Sequence, residues 1–521
     1  MDQSTQNSSY DAIIIGSGMG GMACGSALAH YGKKVLIIEK HYVAGGMTHT
    51  FKRKKHYTWD VGVHALGEMA ENRLPGKMIS WLSQGKVKMN KYGGVYDTFF
   101  FPENFKFELP SSVQEYKDNL YKAFPEEKEA IERYFEMVQA AGKSAKMHFF
   151  CRNMSKWAET LTSPFLKGKL TNWINLTTKE VLDELTSNPK LKAVLAGQWG
   201  YYGSPPSRSS FFIHAVTIRH FWEGAYYPEG TSKTLAENIL EIVHQKGGDV
   251  LLKTEVNEVL TEGKKAVGVR TNKGEEIFAP IVISAAGARA TVERFLPQQE
   301  KQKPWAKNIR KLTQSPCHLC VYIGFEGDIK SAGATESNQW FFSNWDQEIT
   351  LWNYDDKDEK PHILYVSFPS LKDPSHNPGD EKRHTGEVVT FVDWDTFKKW
   401  EDTRQGRRGD DYKDLKEELT KRIMDHFYQY LPGLAEMVRY IELSTPLSTT
   451  HFCSPPRGAI YGLEPTPDRF NCKDLRPQTP LKNFYLTGAD VGTLGVVGAL
   501  MGGVLTAAKV DKRILSKITG K

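Results

Sequence analysis

The stretch 11–46 limits the fold of this chain more than any other part of its 521 residues. It opens with Ala12–Ile15, a short apolar run that is typical of a strand buried on both faces. A glycine-rich turn follows, then a helical pattern over about residues 20–31, and Val35–Ile38 form a second apolar run. Strand, turn, helix and strand in this order predict a βαβ unit with two parallel strands.

The turn carries Gly16, Gly18 and Gly21 with the spacing G-x-G-x-x-G. The first glycine permits a sharp turn, the second lets backbone N–H groups approach a pyrophosphate, and the third lets the helix lie close to the sheet. Glu39 ends the second strand, where a carboxylate accepts hydrogen bonds from a ribose and disfavours a 2′-phosphate. The motif therefore predicts FAD or NAD rather than NADP. The alternative is a glycine-rich turn that binds no ligand.

The same stretch resembles the opening motif of the two-dinucleotide-binding flavoproteins, in which a Gly-Gly pair lies against the FAD pyrophosphate. Here that pair is Gly45-Gly46. The arginine that usually follows is absent, and residues 47–51 read M-T-H-T-F. This departure resembles the retinol saturase and carotenoid isomerase branch of the family, as does the G-V-H run at residues 62–64.

Residues 439–510 carry a second resemblance to that branch. The run P-R-G-A-I-Y-G at 456–462 is similar to a segment of retinol saturases, and N-F-Y-L-T-G-A-D at 483–490 predicts a strand that ends in a glycine turn. Residues 492–510 predict a helix rich in glycine, which costs roughly 1 kcal/mol per glycine relative to alanine. We interpret that cost as a close approach of the helix backbone to another group. Its N-terminus can then stabilise negative charge on a flavin, whereas helix–sheet packing alone is the alternative.

The resemblance implies FAD as the cofactor and assigns roles to individual residues. It implies that Val256 offers its backbone to the adenine, and that Asp490 binds a ribityl hydroxyl or approaches the pyrophosphate through water. His64 and Tyr461 are the candidates for proton transfer, although a packed core histidine is the alternative for His64. The residues assigned to FAD are Gly16, Gly18, Met19, Gly20, Gly21, Glu39, Lys40, Gly45, Gly46, Met47, Thr48, Val256, Gly488, Asp490, Gly495, Val496 and Val497.

The predicted fold class is α/β. A Rossmann-type FAD-binding domain, with a parallel sheet and helices, is interleaved with an α+β substrate domain that contains a mixed sheet, as in amine oxidases and phytoene desaturases. We predict that the FAD-binding domain comprises residues 8–69, 228–303 and 439–521, and that the substrate domain comprises residues 70–227 and 304–438.

Aromatic strands are predicted at residues 94–109 and, within 338–396, at four places that include 349–352. We expect them to form the floor of an apolar cavity, although core packing alone would also account for them. Cys317 and Cys320 form a C-x-x-C inside an alternating strand pattern. No second pair of cysteines or histidines follows at metal spacing, so the sequence predicts no metal site.

Charge and hydropathy limit the partners. The net charge of +6 is small and scattered, which argues against nucleic acid but suits anionic lipid headgroups. Residues 148–175 interleave aromatic, aliphatic and basic side chains, as a helix in a membrane interface needs; a core helix pair with exposed lysines is the alternative. No apolar run is long enough to span a bilayer, and six scattered cysteines suit reduced thiols. We expect a cytoplasmic protein, with peripheral contact at the inner face of a membrane as the further expectation.

The resemblance implies an FAD-dependent oxidoreductase that acts on CH–CH groups of a long apolar polyene, either a retinoid, a carotenoid or another unsaturated lipid. Hydride exchange with flavin N5 would give saturation, desaturation or isomerisation. Only one dinucleotide fingerprint occurs, so the electron donor or acceptor stays open. The alternatives are a flavin amine oxidase and a non-catalytic lipid-binding escort similar to the Rab GDP-dissociation inhibitors.

Overall fold

The computed structural model describes residues 10–154 and 168–519. Its strands are β1 (Ala12–Ile15), β2 (Val35–Ile38), β3 (Thr50–Arg53), β4 (Tyr57–Asp60), β5 (Met89–Tyr92), β6 (Val95–Phe101), β7 (Phe105–Pro110), β8 (Ala225–Pro228), β9 (Asp249–Leu251), β10 (Val256–Glu262), β11 (Lys265–Thr271), β12 (Glu276–Phe278), β13 (Val282–Ser284), β14 (Cys317–Glu326), β15 (Asn338–Phe342), β16 (Ile363–Ser367), β17 (Arg383–Val392), β18 (Val438–Ser444) and β19 (Phe484–Leu486).

The α-helices span Met19–His30, Leu74–Leu82, Val113–Ala123, Lys128–Asn153, Gly168–Asn175, Thr178–Leu185, Pro189–Ala196, Phe211–His220, Lys233–Gln245, Ala288–Ala290, Gln298–Lys301, Pro304–Arg310, Pro369–Lys372, Asp410–Tyr430, Pro446–Cys453, Pro467–Asn471, Gly495–Val510 and Leu515–Thr519.

A five-stranded parallel sheet with the order β19-β13-β1-β2-β9 joins three distant parts of the chain. Its central strand β1 is fully buried and pairs in parallel with β2 and β13, so that Ile13 faces Leu36 on one side and Val282 on the other. Burial on both faces explains why β1 and β2 are uninterrupted apolar runs. The parallel sheet with its flanking helices confirms the predicted α/β class.

A second sheet has seven strands in the order β18-β14-β17-β16-β15-β6-β7 and is mixed, because β15 and β6 run parallel while the other neighbours are antiparallel. One face of this sheet packs into an aromatic core, and the opposite face packs against the helix Asp410–Tyr430. The predicted hairpin at 94–109 is confirmed as β6 and β7.

The strand predicted at 349–352 is wrong. Residues 349 and 350 have no regular secondary structure, residue 351 lies in a bend, and Trp352 makes only an isolated bridge to Val392. The indole N–H of Trp352 donates to the carbonyl oxygen of Glu359 at 3.1 Å, and the guanidinium of Arg422 lies 4.7 Å from the ring centre. Side-chain anchoring of one buried tryptophan therefore replaces the backbone pairing that the apolar run suggested.

The predicted domain limits stay a prediction, but one strand bears on them. β18 starts at about the predicted boundary at residue 439 and pairs with β14 in the mixed sheet rather than with the parallel sheet. Cys317 and Cys320 lie on opposite faces of β14 because they are three residues apart, and all six cysteines are free thiols.

The segment 148–175 lies partly outside the described residues, because 155–167 are not described. Within the described part, the side chain of Phe150 is 59% exposed, whereas His148 and Ile174 are buried. Among the described helices, none combines the length and the apolar character that crossing a bilayer requires.

Candidate active site

The glycine turn after β1 holds backbone segments at distances that no side chain would allow. Gly16 has a φ of +96°, which favours glycine. A Cβ on Gly21 would lie 2.1 Å from the carbonyl oxygen of Gly16, and a Cβ on Gly20 would lie 2.3 Å from the Cα of Gly488. These two glycines are therefore needed for packing inside the protein.

Gly18 differs from its neighbours. It has a φ of −62°, and a Cβ there would meet no protein atom within 4 Å. Gly18 precedes the helix Met19–His30, which has neither a side-chain cap nor an acidic residue in its first turn. Free backbone donors at a helix N-terminus beside open space are what a pyrophosphate requires. The turn thus fits a dinucleotide.

Gly45 and Gly46 form the opposite wall of this turn. Their φ values are +123° and +55°, and Gly45 forms a parallel bridge to Gly18. A Cβ on Gly46 would lie 2.9 Å from the Cα of Gly18. The hydroxyl of Thr48 donates to the carbonyl oxygen of Gly45 at 2.8 Å, which fixes the bend. The pair therefore lies against the glycine turn, and its contact with a pyrophosphate stays a prediction.

Glu39 is tied to the same turn. One carboxylate oxygen accepts from the backbone N–H of Ser17 at 2.9 Å and from its hydroxyl at 2.6 Å. The other oxygen accepts from the backbone N–H of His41 at 2.8 Å. A carboxylate offers about four lone-pair sites, so one stays open on the second oxygen. That position suits one ribose hydroxyl, and the assignment stays a prediction.

The glycine turn at 16–21 and Gly45-Gly46 form one half of a glycine cradle, and the second half comes from residues 488–503 in the C-terminal part of the chain. Gly488 has a φ of +92° and lies against Gly20. In the helix Gly495–Val510, a Cβ on Gly502 would lie 2.3 Å from the carbonyl oxygen of Gly488, and a Cβ on Gly503 would lie 2.6 Å from that of Gly20. Two of the glycines that make this helix costly are thus positions at which it packs closely on the helix Met19–His30 and on the turn at Gly488.

The N-terminus of this helix also faces open space. Gly495 has a φ of +75°, a Cβ there would meet no protein atom within 4 Å, and the helix has no side-chain cap. Val496 and Val497 follow in the first turn and are half-buried. The uncapped donors are suited to negative charge on a bound flavin.

Asp490 connects three backbone segments. Its carboxylate accepts from the backbone N–H of Leu463 at 2.9 Å and from that of Ala288 at 2.7 Å. The guanidinium of the buried Arg469 donates to the carbonyl oxygens of Leu463 and Ala489 next to it. Asp490 therefore holds the cradle together, and contact with the ribityl chain stays a prediction.

The remaining predicted cofactor residues lie at the edges of the cradle. Met47 is half-buried, and its carbonyl oxygen would lie 3.2 Å from a Cβ on Gly62. Val256 is the buried first residue of β10. Lys40 forms a surface ion pair with Glu255 at 3.9 Å, which contributes little to stability. A role for these residues toward FAD stays a prediction.

His64 lies two residues beyond the contact between Gly62 and Met47. Its Nδ1 is buried and lies 2.8 Å from a carboxylate oxygen of Glu387, and its ring centre is 5.1 Å from that of Tyr365. Burial, followed by the nearby charge of Lys372, lowers the pKa of His64 to about 3. The imidazole is therefore neutral at neutral pH.

Tyr461 lies two residues before Leu463, which binds Asp490. Its hydroxyl donates to the carbonyl oxygen of Gly200 at 3.1 Å, and burial raises its pKa well above the usual range. It interacts electrostatically with Tyr365, the residue that contacts His64. Both candidates for proton transfer thus lie around one aromatic residue, and each is one short chain segment from the glycine cradle.

The sequence predictions did not include a set of buried polar side chains next to His64, which we call the polar row. The strand registers align Tyr322, Glu387 and Ser367 on one face of the mixed sheet, and Asn338 faces Asp97 on the next strands. These five residues are almost completely buried.

Lys372 is hydrogen-bonded both to this polar row and to His64. Its ammonium donates to the carbonyl oxygen of His64 at 2.8 Å, to the hydroxyl of Ser367 at 2.7 Å and to the side-chain oxygen of Asn338. Burial lowers the pKa of Lys372 to about 7, against the attraction of Glu387 and other carboxylates. One sequence signal was available, because the period-two alternation of β17 puts Glu387 on the same face as Val389 and Phe391.

The parallel sheet, the glycine cradle and the interleaved mixed sheet define the class of dinucleotide-binding flavoproteins. The chain belongs to the family of flavin-containing amine oxidoreductases, whose profile matches residues 19–511. The cofactor is FAD, and the chain is an FAD-dependent oxidoreductase.

Individual relatives narrow the comparison. An all-trans-retinol 13,14-reductase of Danio rerio is 32% identical over 528 residues, which cover 97% of this chain and 86% of that protein. A prolycopene isomerase of an Oncidium hybrid cultivar is 25% identical and covers 88% of this chain and 76% of its own length. A putrescine oxidase mutant with redesigned cofactor binding shares the fold, with a TM-score of 0.64, 15% identity, and coverage of 97% of this chain and 99% of its own.

Proposed function

We propose that this FAD-dependent oxidoreductase acts on carbon–carbon double bonds of a long apolar polyene of the retinoid or carotenoid type. Reduction of a double bond is the direction we favour, because the retinol reductase is similar over nearly the whole chain. Isomerisation is the second candidate, because prolycopene isomerases are also similar over most of it.

The observation that carries this proposal is the aromatic face of the mixed sheet beside His64. The ring centres of Tyr365 and Trp340 are 4.5 Å apart, and Phe99 follows Trp340 at 6.1 Å. Tyr201 covers Trp340 from the helical side at 4.9 Å. These rings pack on one another in the core. A flat conjugated chain offers no polar group to grip, so we expect it to be positioned where this aromatic cluster reaches the partly accessible ring of His64.

FAD, when bound, supplies or accepts a hydride at the flavin N5. The chain itself would hold the pyrophosphate at Gly18 and the adjacent helix N-terminus, and the flavin end at the N-terminus of the helix Gly495–Val510. Glu39 and Asp490 fix the turns that form the cradle. Neutral His64 is suited to moving a proton at the carbon next to the hydride acceptor, and Tyr461 is the second candidate.

The test begins with purified protein. We expect it to be yellow and to contain stoichiometric FAD; a colourless protein that binds lipid would instead support a lipid-binding escort. The flavin is then reduced chemically without oxygen and mixed separately with retinoids, carotenoids and other unsaturated lipids. Reoxidation of the flavin together with a product that has gained two hydrogen atoms supports the proposal.

The same preparation tests the amine oxidase alternative. Oxidised enzyme is mixed with a panel of primary and secondary amines, and the flavin absorbance is followed. Bleaching of the flavin by an amine, with peroxide release in air and no reaction with any polyene, would contradict the proposal. The lack of the arginine after Gly45-Gly46 leads us to expect no bleaching.

Peripheral membrane contact stays a prediction. It is supported by exposed Phe150 and by the basic and aromatic composition of 148–175. Cosedimentation with anionic and neutral vesicles tests it, and Phe150→Ser should weaken the binding. Cytoplasmic location also stays a prediction.

A further inference from the structure

We propose that Glu387 is a positioning and proton-storing residue. It holds a proton inside the mixed sheet and passes it to Nδ1 of His64 while the Nε2–H of His64 goes to the substrate carbon. This inference rests on the proposed reduction of a polyene and assigns the source of its proton.

Three buried carboxyl groups act on Lys372, those of Asp60, Asp97 and Glu387, and they differ in the hydrogen bonds that they accept. Asp60 accepts from the backbone N–H and hydroxyl of Ser232 and from the hydroxyl of Tyr227. Glu387 is completely buried, and the backbone N–H of Asp60 approaches it. Neither of its carboxyl oxygens, however, accepts a hydrogen bond of ordinary geometry from the described residues.

The third carboxyl group, Asp97, accepts from Gln198 at 3.0 Å, from Tyr201 at 2.8 Å and from Asn338 at 2.9 Å. Hydrogen bonds to a carboxylate favour its ionised form, and burial without them favours the protonated form. Of these three carboxyl groups, Glu387 is therefore the one that keeps a proton most readily.

The ammonium of Lys372 is a cation that lies among these carboxyl groups. The three hydrogen bonds that it donates nevertheless go to a carbonyl, a hydroxyl and an amide oxygen. No carboxylate receives one of them. Lys372 can stabilise Glu387 after the proton has left, but it is not bonded so closely that it would keep Glu387 ionised. Burial raises the pKa of Glu387 well above its usual range, and Lys372 and the backbone of Asp60 oppose this only in part.

The ring of His64 is oriented for such a relay. Nδ1 is the buried edge of the ring and lies 2.8 Å from Glu387, while 19% of the side-chain surface is accessible. The accessible part of the ring is therefore the part away from Glu387. A protonated Glu387 donates to Nδ1, which leaves the hydrogen of the neutral imidazole on Nε2.

Other ionisable groups face Glu387 from the elements around it. They are Asp60, His64, Tyr227, Cys320, Tyr322 and Lys372. Burial raises the pKa of Tyr227, Cys320 and Tyr322 well above the usual range, so these three stay neutral at neutral pH. Asp60, with a pKa raised to about 6, and Lys372 are the groups that change charge near neutrality.

Atoms and electrons balance in this step. With reduced FAD bound, one alkene carbon would gain a hydride and hence two electrons. The neighbouring carbon forms a C–H bond with the proton that leaves Nε2 of His64. At the same time the O–H bond of the Glu387 carboxyl group breaks, and its proton binds to Nδ1. Glu387 is left as a carboxylate beside Lys372. After product release, Nε2 takes a proton from water and Nδ1 returns its proton to Glu387.

The decisive readout is the infrared C=O stretch of protonated carboxyl groups, which shifts in D2O and requires no substrate. We compare wild type, Glu387→Gln and the control Glu300→Gln, a buried glutamate paired with Lys303 in another part of the protein. We expect a protonated carboxyl band at neutral pH in wild type and in Glu300→Gln that Glu387→Gln lacks. Identical spectra for wild type and Glu387→Gln would overturn the proposal.

Flavin reoxidation by a polyene gives the second readout. We expect Glu387→Gln to slow it by at least about 100-fold while FAD content is unchanged, because general acid catalysis contributes that much or more. Glu387→Asp keeps the carboxyl group but moves it away from Nδ1 of His64. This variant should therefore retain a protonated carboxyl band, while its flavin is reoxidised by the polyene as slowly as in Glu387→Gln. Wild-type rates in both variants would overturn the proposal.

The two readouts also separate this inference from the proposed function. If wild type reduces no polyene, the proposed function fails, while the infrared spectra still decide whether Glu387 stores a proton. If Glu387→Gln does not fold, the wild-type spectrum alone is informative, because the absence of any protonated carboxyl band at neutral pH would overturn the inference.

Discussion

Gly20 and Gly488 approach so closely that a Cβ on Gly20 would lie 2.3 Å from the Cα of Gly488. They are separated by most of the chain, yet they bring the first helix and the last strand–turn–helix segment into backbone contact. Because neither segment alone forms the cradle, we expect bound FAD to stabilise the folded parallel-sheet region.

The glycines of the cradle should therefore differ in what they do. Gly20→Ala places a methyl group against backbone, which costs about 1–3 kcal/mol or more of folding free energy, and it should lower both thermal stability and FAD content. Gly18→Ala meets no protein atom and has an ordinary φ, so the FAD-free protein should keep its stability. It should nevertheless bind FAD more weakly, because its methyl group occupies the phosphate side of the turn.

Thermal unfolding with and without added FAD measures both effects. Equal FAD affinity in Gly18→Ala and wild type would show that the pyrophosphate lies elsewhere.

Asp490 should matter for stability as well as for the cofactor. Asp490→Ala leaves the backbone N–H groups of Leu463 and Ala288 without their acceptor, and each unsatisfied buried donor costs about 1–3 kcal/mol. We expect a lower midpoint in urea and loss of FAD. Asp490→Asn retains one acceptor oxygen, so its urea midpoint and its FAD content should fall less than those of Asp490→Ala. A midpoint of Asp490→Ala equal to that of wild type would contradict this role.

His64 and Tyr461 should affect turnover without affecting FAD content. His64→Gln removes the neutral imidazole and should slow flavin reoxidation by about 10²–10⁴-fold. Tyr461→Phe should have a smaller effect, because its hydroxyl proton is engaged by the carbonyl oxygen of Gly200. Single-turnover absorbance measures both rates. Unchanged rates in both variants would remove these residues from the mechanism.

Lys372 gives the stability a pH dependence of known sign. Its pKa is 10.5 in the unfolded chain and about 7 in the folded protein, so the unfolded state binds more protons between these values. Stability therefore rises with pH between about 7 and 10.5 and is lower below 7. Lys372→Met should remove this contribution. The measurement is the unfolding free energy in urea across this range, and parallel pH profiles for the two proteins would contradict the assignment.

Much of the fold was predictable because its signals are local. β1 and β2 begin and end at the predicted residues, since apolar runs bounded by glycine and charge are visible within a few positions. The G-x-G-x-x-G turn and the glycine-rich helix were predicted for the same reason. Their contact through Gly488 joins distant parts of the chain, and no local pattern predicts it.

The polar row was not predictable in this way. Lys372 donates to the carbonyl oxygen of His64, which is 308 positions away, and no periodic pattern encodes such a pairing. Glu387 lies at an inward position of β17. Alternation alone does not show whether a carboxyl group at such a position is functional. The error at 349–352 has the opposite origin, because a locally plausible strand was overridden by the anchoring of Trp352.

The most direct test of the whole account is anaerobic mixing of the chemically reduced flavoprotein with all-trans-retinol and with carotenoids, followed by mass analysis. We predict that flavin absorbance returns and that one of these polyenes gains two hydrogen atoms. A protein that contains FAD but leaves every polyene unchanged, while its oxidised flavin is bleached by an amine, would contradict the account.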